Sequence, residues 1–545
     1  MKKNSFIEGT FIATASIILV KILGMLYVVP FYIIVGMQGG ALYSYAYNIY
    51  LIFLGISTAG VPAAISKIIS EYNTLGMLEA KTRAYKLGKK FIAIFSFVAF
   101  LIVFVFAEAL ATLILGNLTG GNTIQDTAFV IRCVSLAILV IPYLSVMRGY
   151  LQGHNYITPS ANANLIEQAI RIFIIIAGSF LVMRVFDGTL TQAIGIAVGG
   201  AFFGGIGAYW YLRRSIKKNQ KELHLDKKQK KDPITNKEII KKIGVYALPF
   251  IIINVVSSVF NFTDMVMVIR TLDYLGYSAR DVEFVASVIS TWGAKLTMIV
   301  NAIGIGITIT LIPRIVEAFA TKNWEDVNKK INQSLQMVIF VSLPLTLGLS
   351  ILSTPVWTLF YNVIGRGGDI LGWMIFNALI GNVYMIVITI LQGLNKYSVI
   401  YRASIIGFIS KVTLNIPLMI LFNNLGIGAY YGAILSTTIS FSISIYIGLS
   451  AIRKEHGVRY KNTVLQMAKM IIPAVLMVAS LYFINRVLLF NVFSRTEALQ
   501  LIIINTIIGG LIYIIISFKL RLPQHIFGND ELNNIIKKLT FGKFG

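Results

Sequence analysis

The chain has 545 residues, of which 56% are hydrophobic and 13% charged, about half the charged share of an ordinary soluble protein. That leaves too little polar surface to wrap a water-soluble globule of this size, and a single cysteine, Cys133, excludes an internal disulfide scaffold. The net charge of +25 sits in short segments between apolar runs, where cytoplasmic loops and anionic lipid head groups account for it without nucleic acid.

The start, Met1 to Glu8, is short and basic and leads into an apolar run too long for a signal-peptide core. It is therefore expected to be a retained first span. Fourteen runs reach the roughly 20 apolar residues that a spanning helix needs. They cover 8–35, 41–66, 88–116, 126–150, 160–184, 190–213, 243–270, 283–312, 330–354, 370–393, 399–422, 428–452, 464–488 and 497–519. The fold class is an all-α polytopic membrane protein of fourteen transmembrane helices. With the N-terminus inside, inner segments and the span ends beside them hold about 37 of the 48 Lys and Arg. Loops around Gly36–Gly40, Gly116–Thr123 and Asn423–Gly426 carry no basic residue and are expected outside. Both termini are then cytoplasmic.

The segment from Arg213 to Lys242 contains KKNQKELHLDKKQKKD and is too polar to pack. It divides the chain, and a repeat runs across it. Leu151-Gln152-Gly153-His154-Asn155 matches Leu391-Gln392-Gly393-Leu394-Asn395, which aligns Arg171 with Lys411. Gly55-Ile56-Ser57 with Pro62 matches Gly306-Ile307-Thr308 with Pro313. Six helices per repeat is an even number, so the halves share orientation about an axis along the membrane normal. The expected organisation is an N-lobe over 1–214, a basic cytoplasmic linker over 215–242 and a C-lobe over 243–455. Two further helices lie within 456–520, and a basic tail covers 521–545. Two six-helix lobes with a cleft between them is a transporter architecture.

Charged residues inside spans are costly and mark cavities or ion pairs. Lys21 shares a helix face with Thr10, Thr14 and Gly24. Asn254, Ser257, Ser258, Asn261 and Asp264 form a polar stripe on the seventh helix. Lys295 lies near Ser287, Thr291 and Asn301, and Lys411 on the eleventh helix is the repeat partner of Arg171. Lys21, Lys295, Lys411, Arg171, Asn254 and Asn261 are the candidates for an anionic head group such as a diphosphate. Asp264 and Glu167 are the candidates for coupling to Na⁺ or H⁺. Glu167 and Arg171, one turn apart, are expected to satisfy each other. Arg132 and Glu108 are expected to snorkel to the interface, and Tyr43, Tyr47 and Tyr50 to join an interfacial aromatic belt. Glycine pairs such as Gly199-Gly200 and Gly204-Gly205 permit close helix packing.

No nucleotide-binding loop, Ser/His/Asp set, paired-carboxylate arrangement or His/Cys metal cluster stands out, and His154, His224, His456 and His525 all lie in or beside loops. An enzyme is disfavoured, and no cofactor is implied beyond an ion gradient or the membrane potential.

Several motifs carry a resemblance. They are Lys21-Ile22-Leu23-Gly24, Gly60-Val61-Pro62-Ala63-Ala64, and Arg148-Gly149-Tyr150-Leu151-Gln152-Gly153 followed by Pro159, Glu167-Gln168 and Arg171. Over essentially its whole length the chain resembles the polysaccharide transporter family of the multidrug/oligosaccharidyl-lipid/polysaccharide (MOP) exporter superfamily. It is most similar to the SpoVB/YtgP branch, whose YtgP members are MurJ-type lipid II flippases. The resemblance implies a MOP/MATE-like fold in a bacterial plasma membrane. It also implies transport of undecaprenyl-diphosphate-linked sugars from inner to outer leaflet by rocking of two lobes. Basic cavity residues would hold the diphosphate, and the last two helices would line a groove for the lipid tail. Lys21 stands where many relatives have Arg, keeping the charge and losing the bidentate fork. Lipid II is the favoured cargo, and teichoic-acid or capsule precursors are the nearer variant. A drug/cation antiporter, a membrane enzyme acting on lipid-linked glycans and a scaffold for cell-wall synthesis proteins are the other readings.

Overall fold

The computed structural model describes residues 6–55, 60–220, 222–223, 232–320, 324–362, 366–487 and 494–528. Most of the basic linker with His224, the matched Ile56 and Ser57, and the tail beyond Gly528 lie outside the described residues. So do the side chains of Thr10, Asn254, Ser257 and Pro313. Among the described residues the regular structure is helical, with no strand. Eleven helices among the described residues are long and apolar enough to cross a membrane, or twelve if one bent pair counts as a single span.

Two compact units form, Met1–Thr291 and Trp292–Gly545. The first contains α1 (Phe6–Leu26), α2 (Val28–Gly55), α3 (Val61–Thr74), α4 (Leu78–Val105), α5 (Ala107–Leu115) and α6 (Ile124–Gly153). It continues with α7 (Ile157–Phe173), α8 (Ser179–Arg184), α9 (Leu190–Lys218), α10 (Asn236–Tyr274) and α11 (Ala279–Ser287). The second contains α12 (Gly293–Ala320), α13 (Trp324–Ile351), α14 (Ser353–Tyr361), α15 (Arg366–Gly393) and α16 (Tyr397–Asn424). It ends with α17 (Tyr430–His456), α18 (Lys461–Val487), α19 (Arg495–Lys519) and α20 (Leu522–Phe527).

Most helices outrun the apolar runs that located them. The run expected over 88–116 begins at Leu78, because α4 continues its hydrogen-bond ladder through Lys81, Arg83 and Lys86. Hydropathy marks the part in lipid, whereas the backbone ladder can continue into water. The run expected over 8–35, in which Pro30 is a candidate bend, is two helices. α1 and α2 meet at Tyr27 with a bend of 44°. Pro30 supplies the cause: its ring obstructs the carbonyl of Leu26, four residues back, and it donates no hydrogen bond. The turn expected near Gly36 is present, with Gly36 at φ 65°, ψ −165° inside α2, a backbone that glycine adopts without strain.

α6 is the hub of the first unit, packed by α2, α3, α4, α5 and α9, while α7 lies between α1 and α9. Gly149 and Gly153 on α6 let α3 approach closely: a Cβ on Gly149 would stand 2.6 Å from the Pro62 carbonyl, and one on Gly153 2.7 Å from that of Ser66. On α9, a Cβ on Gly204 would stand 2.5 Å from the Glu167 carbonyl of α7. The expected role of the small residues is therefore met at Gly204. α10 packs against α2, α3, α4 and α5.

In the second unit α15 is the hub, contacting α12, α13, α14 and α17. α18 and α19 pair with each other and lie on α13 and α14, through Ala474, Met477, Leu481 and Tyr513 against Phe340 and Leu343. Their outer faces, including Ile471, Val475, Ile507 and Ile514, are exposed to the bilayer.

Local details recur between the units. α6 ends in Gly153 and Asn155 at φ 64°, and α15 ends in Gly393 and Asn395 at φ 58°. Asn155 N–H donates to the Gln152 carbonyl and Asn395 N–H to that of Gln392, so both stretches close the same turn. α4 and α13 are each 28 residues long, and each is followed by a one-residue break and a 9-residue helix. The breaks are also alike, Phe106 at φ −89°, ψ 16° and Leu352 at φ −91°, ψ 13°.

Candidate functional site

The first unit brings α1, α2 and α7 together around Arg171. Helical spacing puts Tyr43, Tyr47 and Tyr50 on one face of α2, and that face meets α7. Arg171 Cζ lies 5.6 Å from the Tyr47 ring centroid and 5.0 Å from that of Tyr50. Tyr43 and Tyr47 stack at 5.5 Å, and the hydroxyls of Tyr27 and Tyr43 are 3.1 Å apart. Phe31 meets Tyr43 edge-on at 5.1 Å. Tyr43 and Tyr50 are 0% and 1% exposed. These tyrosines are thus no interfacial belt, contrary to expectation; they line the half-buried guanidinium through their ring faces. The Tyr43–Tyr47–Tyr50 spacing fits either role, and only the placement of α7 selects one. A π-helical turn, Ile174–Gly178, begins three residues after Arg171.

The expected Glu167–Arg171 pair does not form. Glu167 pairs instead with Arg148 Nη2 of α6, and both side chains are largely buried. Gly149 and Gly153 bring this stretch of α6 against α3, and Arg148 reaches α7 from it through Glu167. Long-range packing supplied a better partner than the neighbour one turn away. Arg171 is left with aromatic faces and no carboxylate among the described residues.

Lys21 sits half-buried on α1 and makes no hydrogen bond or ion pair among the described residues. α1 is held on α7 by Ser16, whose hydroxyl donates to the Ala161 carbonyl at 3.1 Å, and by Gly24, which faces Gln168.

The next face of α2 is polar. Ser44 lies 3.0 Å from Ser290 and 2.8 Å from Thr291 between hydroxyls, and Asn48 donates to Thr291 at 2.9 Å. Ser258 of α10 donates to the Leu51 carbonyl at 3.1 Å, which lays this member of the expected polar stripe beside α2. On that helix Asp264 is buried and Asn261 half-buried. Glu283 of α11, which composition and spacing did not single out, is buried and accepts from the Asn122 N–H at 2.7 Å. Outside the spans, Tyr156 donates to Glu222 at 2.9 Å; burial and that carboxylate push its phenol up to about 12. Arg132 is half-buried and Glu108 exposed.

In the second unit Lys295 is buried with its ammonium 4.8 Å from the Trp292 ring centroid. Lys411 is 0% exposed and donates to Thr437 of α17. Asn382, also missed in the sequence, donates to the Val300 carbonyl at 2.8 Å and to Ser342 at 3.1 Å. Nothing in its spacing separates it from an ordinary packed asparagine.

The spans thus hold cations at half-buried and buried positions, set among hydroxyls and aromatic faces. The profile of the family described as polysaccharide biosynthesis protein matches residues 6–319. The chain belongs to that family. It is 32% identical to "Lipid II flippase MurJ" of Bacillus subtilis (strain 168) over 536 residues, covering 96% of this chain and 97% of the relative. It is 25% identical to the same organism's "Uncharacterized membrane protein YabM" over 554 residues, covering 100% of this chain and 97% of that one. The fold is shared with the solved "Lipid II flippase MurJ, inward closed conformation", with a TM-score of 0.65 and 17% identity, covering 94% of this chain and 99% of that structure. A "multidrug resistance MATE family transporter of the MOP superfamily" aligns with a TM-score of 0.62 and 14% identity over 79% of this chain and 96% of its own. As a member of the polysaccharide biosynthesis protein family, the chain is a polytopic membrane transporter and not an enzyme.

Proposed function

We propose that this transporter moves a lipid-linked cell-wall precursor, with lipid II as the cargo, from the inner to the outer leaflet by alternating access. The observation that carries the reading is the sign of the charge in the spans: neither Lys21 nor Arg171 has a carboxylate partner among the described residues. A diphosphate head cannot cross hydrocarbon unaided, because its desolvation is too costly. Fixed cations and aligned hydroxyls lower that barrier while the apolar tail stays in lipid. The near-full-length likeness to a protein named Lipid II flippase supports the choice of cargo.

Lys21, Arg171 and Asn261 in the first unit, and Lys295 and Lys411 in the second, are proposed to contribute to head-group binding, together with Asn254. The recurring α4–α5 and α13–α14 breaks and the paired Asn155 and Asn395 turns support a fourteen-span chain built as a parallel repeat. Asp264 or Glu167 would serve ion coupling. The membrane potential also assists, at about 2.3 kcal/mol per charge per 100 mV.

Fluorescent lipid II and an undecaprenyl-diphosphate-linked teichoic precursor, offered side by side in proteoliposomes, test the reading. Flipping of lipid II, lost in Lys21→Ala, is the expected result. Flipping of the teichoic precursor alone replaces the cargo. Flipping of neither, by folded protein, overturns the reading in favour of the antiporter its MATE-like fold also permits.

A further inference from the structure

A second cationic site lies away from the residues proposed for head-group binding. A cavity of about 550 Å³ opens among α4, α6 and α9 in the first unit. Lys86, Lys89, Arg213 and Lys217 line it together with Tyr85, Tyr143, Tyr209, Met147, Ile216 and Gln220. None of the four cations has an acidic partner among the described residues. Four like charges around one cavity repel one another, and that arrangement is relieved only by a bound anion or by dispersal into water. Lys86, Arg213 and Lys217 reach solvent at the cavity mouth, whereas Lys89 is half-buried with its ammonium 4.6 Å from the Tyr85 ring centroid, so its charge disperses least. Tyr85 is in turn stacked on Tyr150 at 4.0 Å.

The position selects the kind of anion. The cations stand where polar helix ends give way to apolar spans: α4 turns apolar at Phe91, just after Lys89 and Lys90, and α9 turns basic at Arg213. Beyond the cavity, α4 presents Phe91 and Phe97 outward, 54% exposed each, and α9 presents Trp210 and Phe203, 62% and 50% exposed. Cations at head-group depth, tyrosine hydroxyls beside them and an apolar wall below suit a molecule with a phosphate at one end and acyl chains at the other. Basic pockets between helices at that depth are the usual receptors of anionic lipid head groups.

We infer that this cavity binds the head group of an anionic phospholipid, its phosphate among Lys86, Lys89, Arg213 and Lys217 and its chains along Phe97, Phe203 and Trp210. Binding here joins α4 to the end of α9 that leads into the basic linker, and it is separate from cargo transport.

The purified full chain in detergent, titrated with phosphatidylglycerol or phosphatidylcholine and read by native mass spectrometry, tests this. At least tenfold tighter retention of phosphatidylglycerol is expected, with the preference falling to within twofold in the Lys89→Gln/Arg213→Gln double variant. Dibrominated phosphatidylglycerol should also quench Trp210, measured as the fluorescence difference from Trp210→Phe. An unchanged preference in the double variant overturns the site. Displacement by glycerol 1-phosphate at the lipid's own concentration overturns the lipid in favour of a free phosphate. If the double variant is not monodisperse, Lys86→Gln/Lys217→Gln is read by the same criteria. Lipid retention is measured without transport, so neither result depends on the cargo.

Discussion

Glu167 has a choice of two arginines, and the fold gives it the distant one. Arg148 and Glu167 are both largely buried, with side-chain exposures of 8% and 14%. Removing one member of such a pair strands the other charge. Glu167→Gln is therefore expected to lower stability by about 3 kcal/mol, read as the midpoint of denaturant unfolding in micelles. Arg148→Met combined with Glu167→Leu should recover most of that loss; a purely additive double variant would show that the pair is not coupled. Lys21 stands in a different position, half-buried with no partner among the described residues. Lys21→Arg keeps the charge and should retain flipping in proteoliposomes, whereas Lys21→Gln should abolish it. Equal activity of the two variants would mean that the charge at this position is not used. The residue types of this site were readable in sequence, since a lysine or arginine in a span stands out by its cost. Their partners were not. Glu167 and Arg171 satisfy every local rule for pairing, and Tyr43, Tyr47 and Tyr50 satisfy the rule for a belt; the approach of α2 and α6 to α7 overrides both.

At the scale of helices, α9 carries its own control. A Cβ at Gly204 would stand 2.5 Å from the Glu167 carbonyl, whereas one at Gly199 would meet nothing within 4 Å. Gly204→Ala must push α9 from α7, at about 1–3 kcal/mol. Gly199→Ala removes a flexible residue from a helix interior and should be neutral or stabilising by up to about 1 kcal/mol. Thermal midpoints of the two purified variants check this, and equal losses would show that α9 is not held against α7 as described. The sequence offered Gly199-Gly200 and Gly204-Gly205 as equivalent contact pairs. Which glycine touches a backbone depends on the rotation of α9, and no pattern along one helix fixes that. The ends of two helices, by contrast, were legible to within about two residues. The runs at 399–422 and 497–519 became α16 over Tyr397–Asn424 and α19 over Arg495–Lys519. The bend at Tyr27 was written in Pro30, though hydropathy alone runs through it without a break.

For the molecule as a whole, the distribution of Lys and Arg makes a topological prediction. In a Cys133→Ser background, Thr119→Cys should react with a membrane-impermeant maleimide on intact cells, and Lys218→Cys only after permeabilisation. The reverse pattern would invert the topology and place the basic cavity of α4, α6 and α9 against the outer leaflet. In the expected orientation that cavity would face anionic inner-leaflet lipid, the proposed partner of its four cations.

The sequence by itself determined that this chain lives in a membrane, where most of its apolar runs lie, which of its charged residues had to be explained, and which family it belongs to. These follow from quantities summed along the chain: apolar length, loop charge, proline position and short motifs. Tertiary structure decided the pairings: Arg148 with Glu167, Arg171 with the α2 tyrosines, Gly204 against the α7 backbone, Lys411 with Thr437, and four cations around one cavity. Each depends on how one helix is rotated and placed against another. In a chain whose spans are apolar on nearly every side, periodicity leaves that rotation undetermined, and only the packing of small residues and the few buried polar groups selects it.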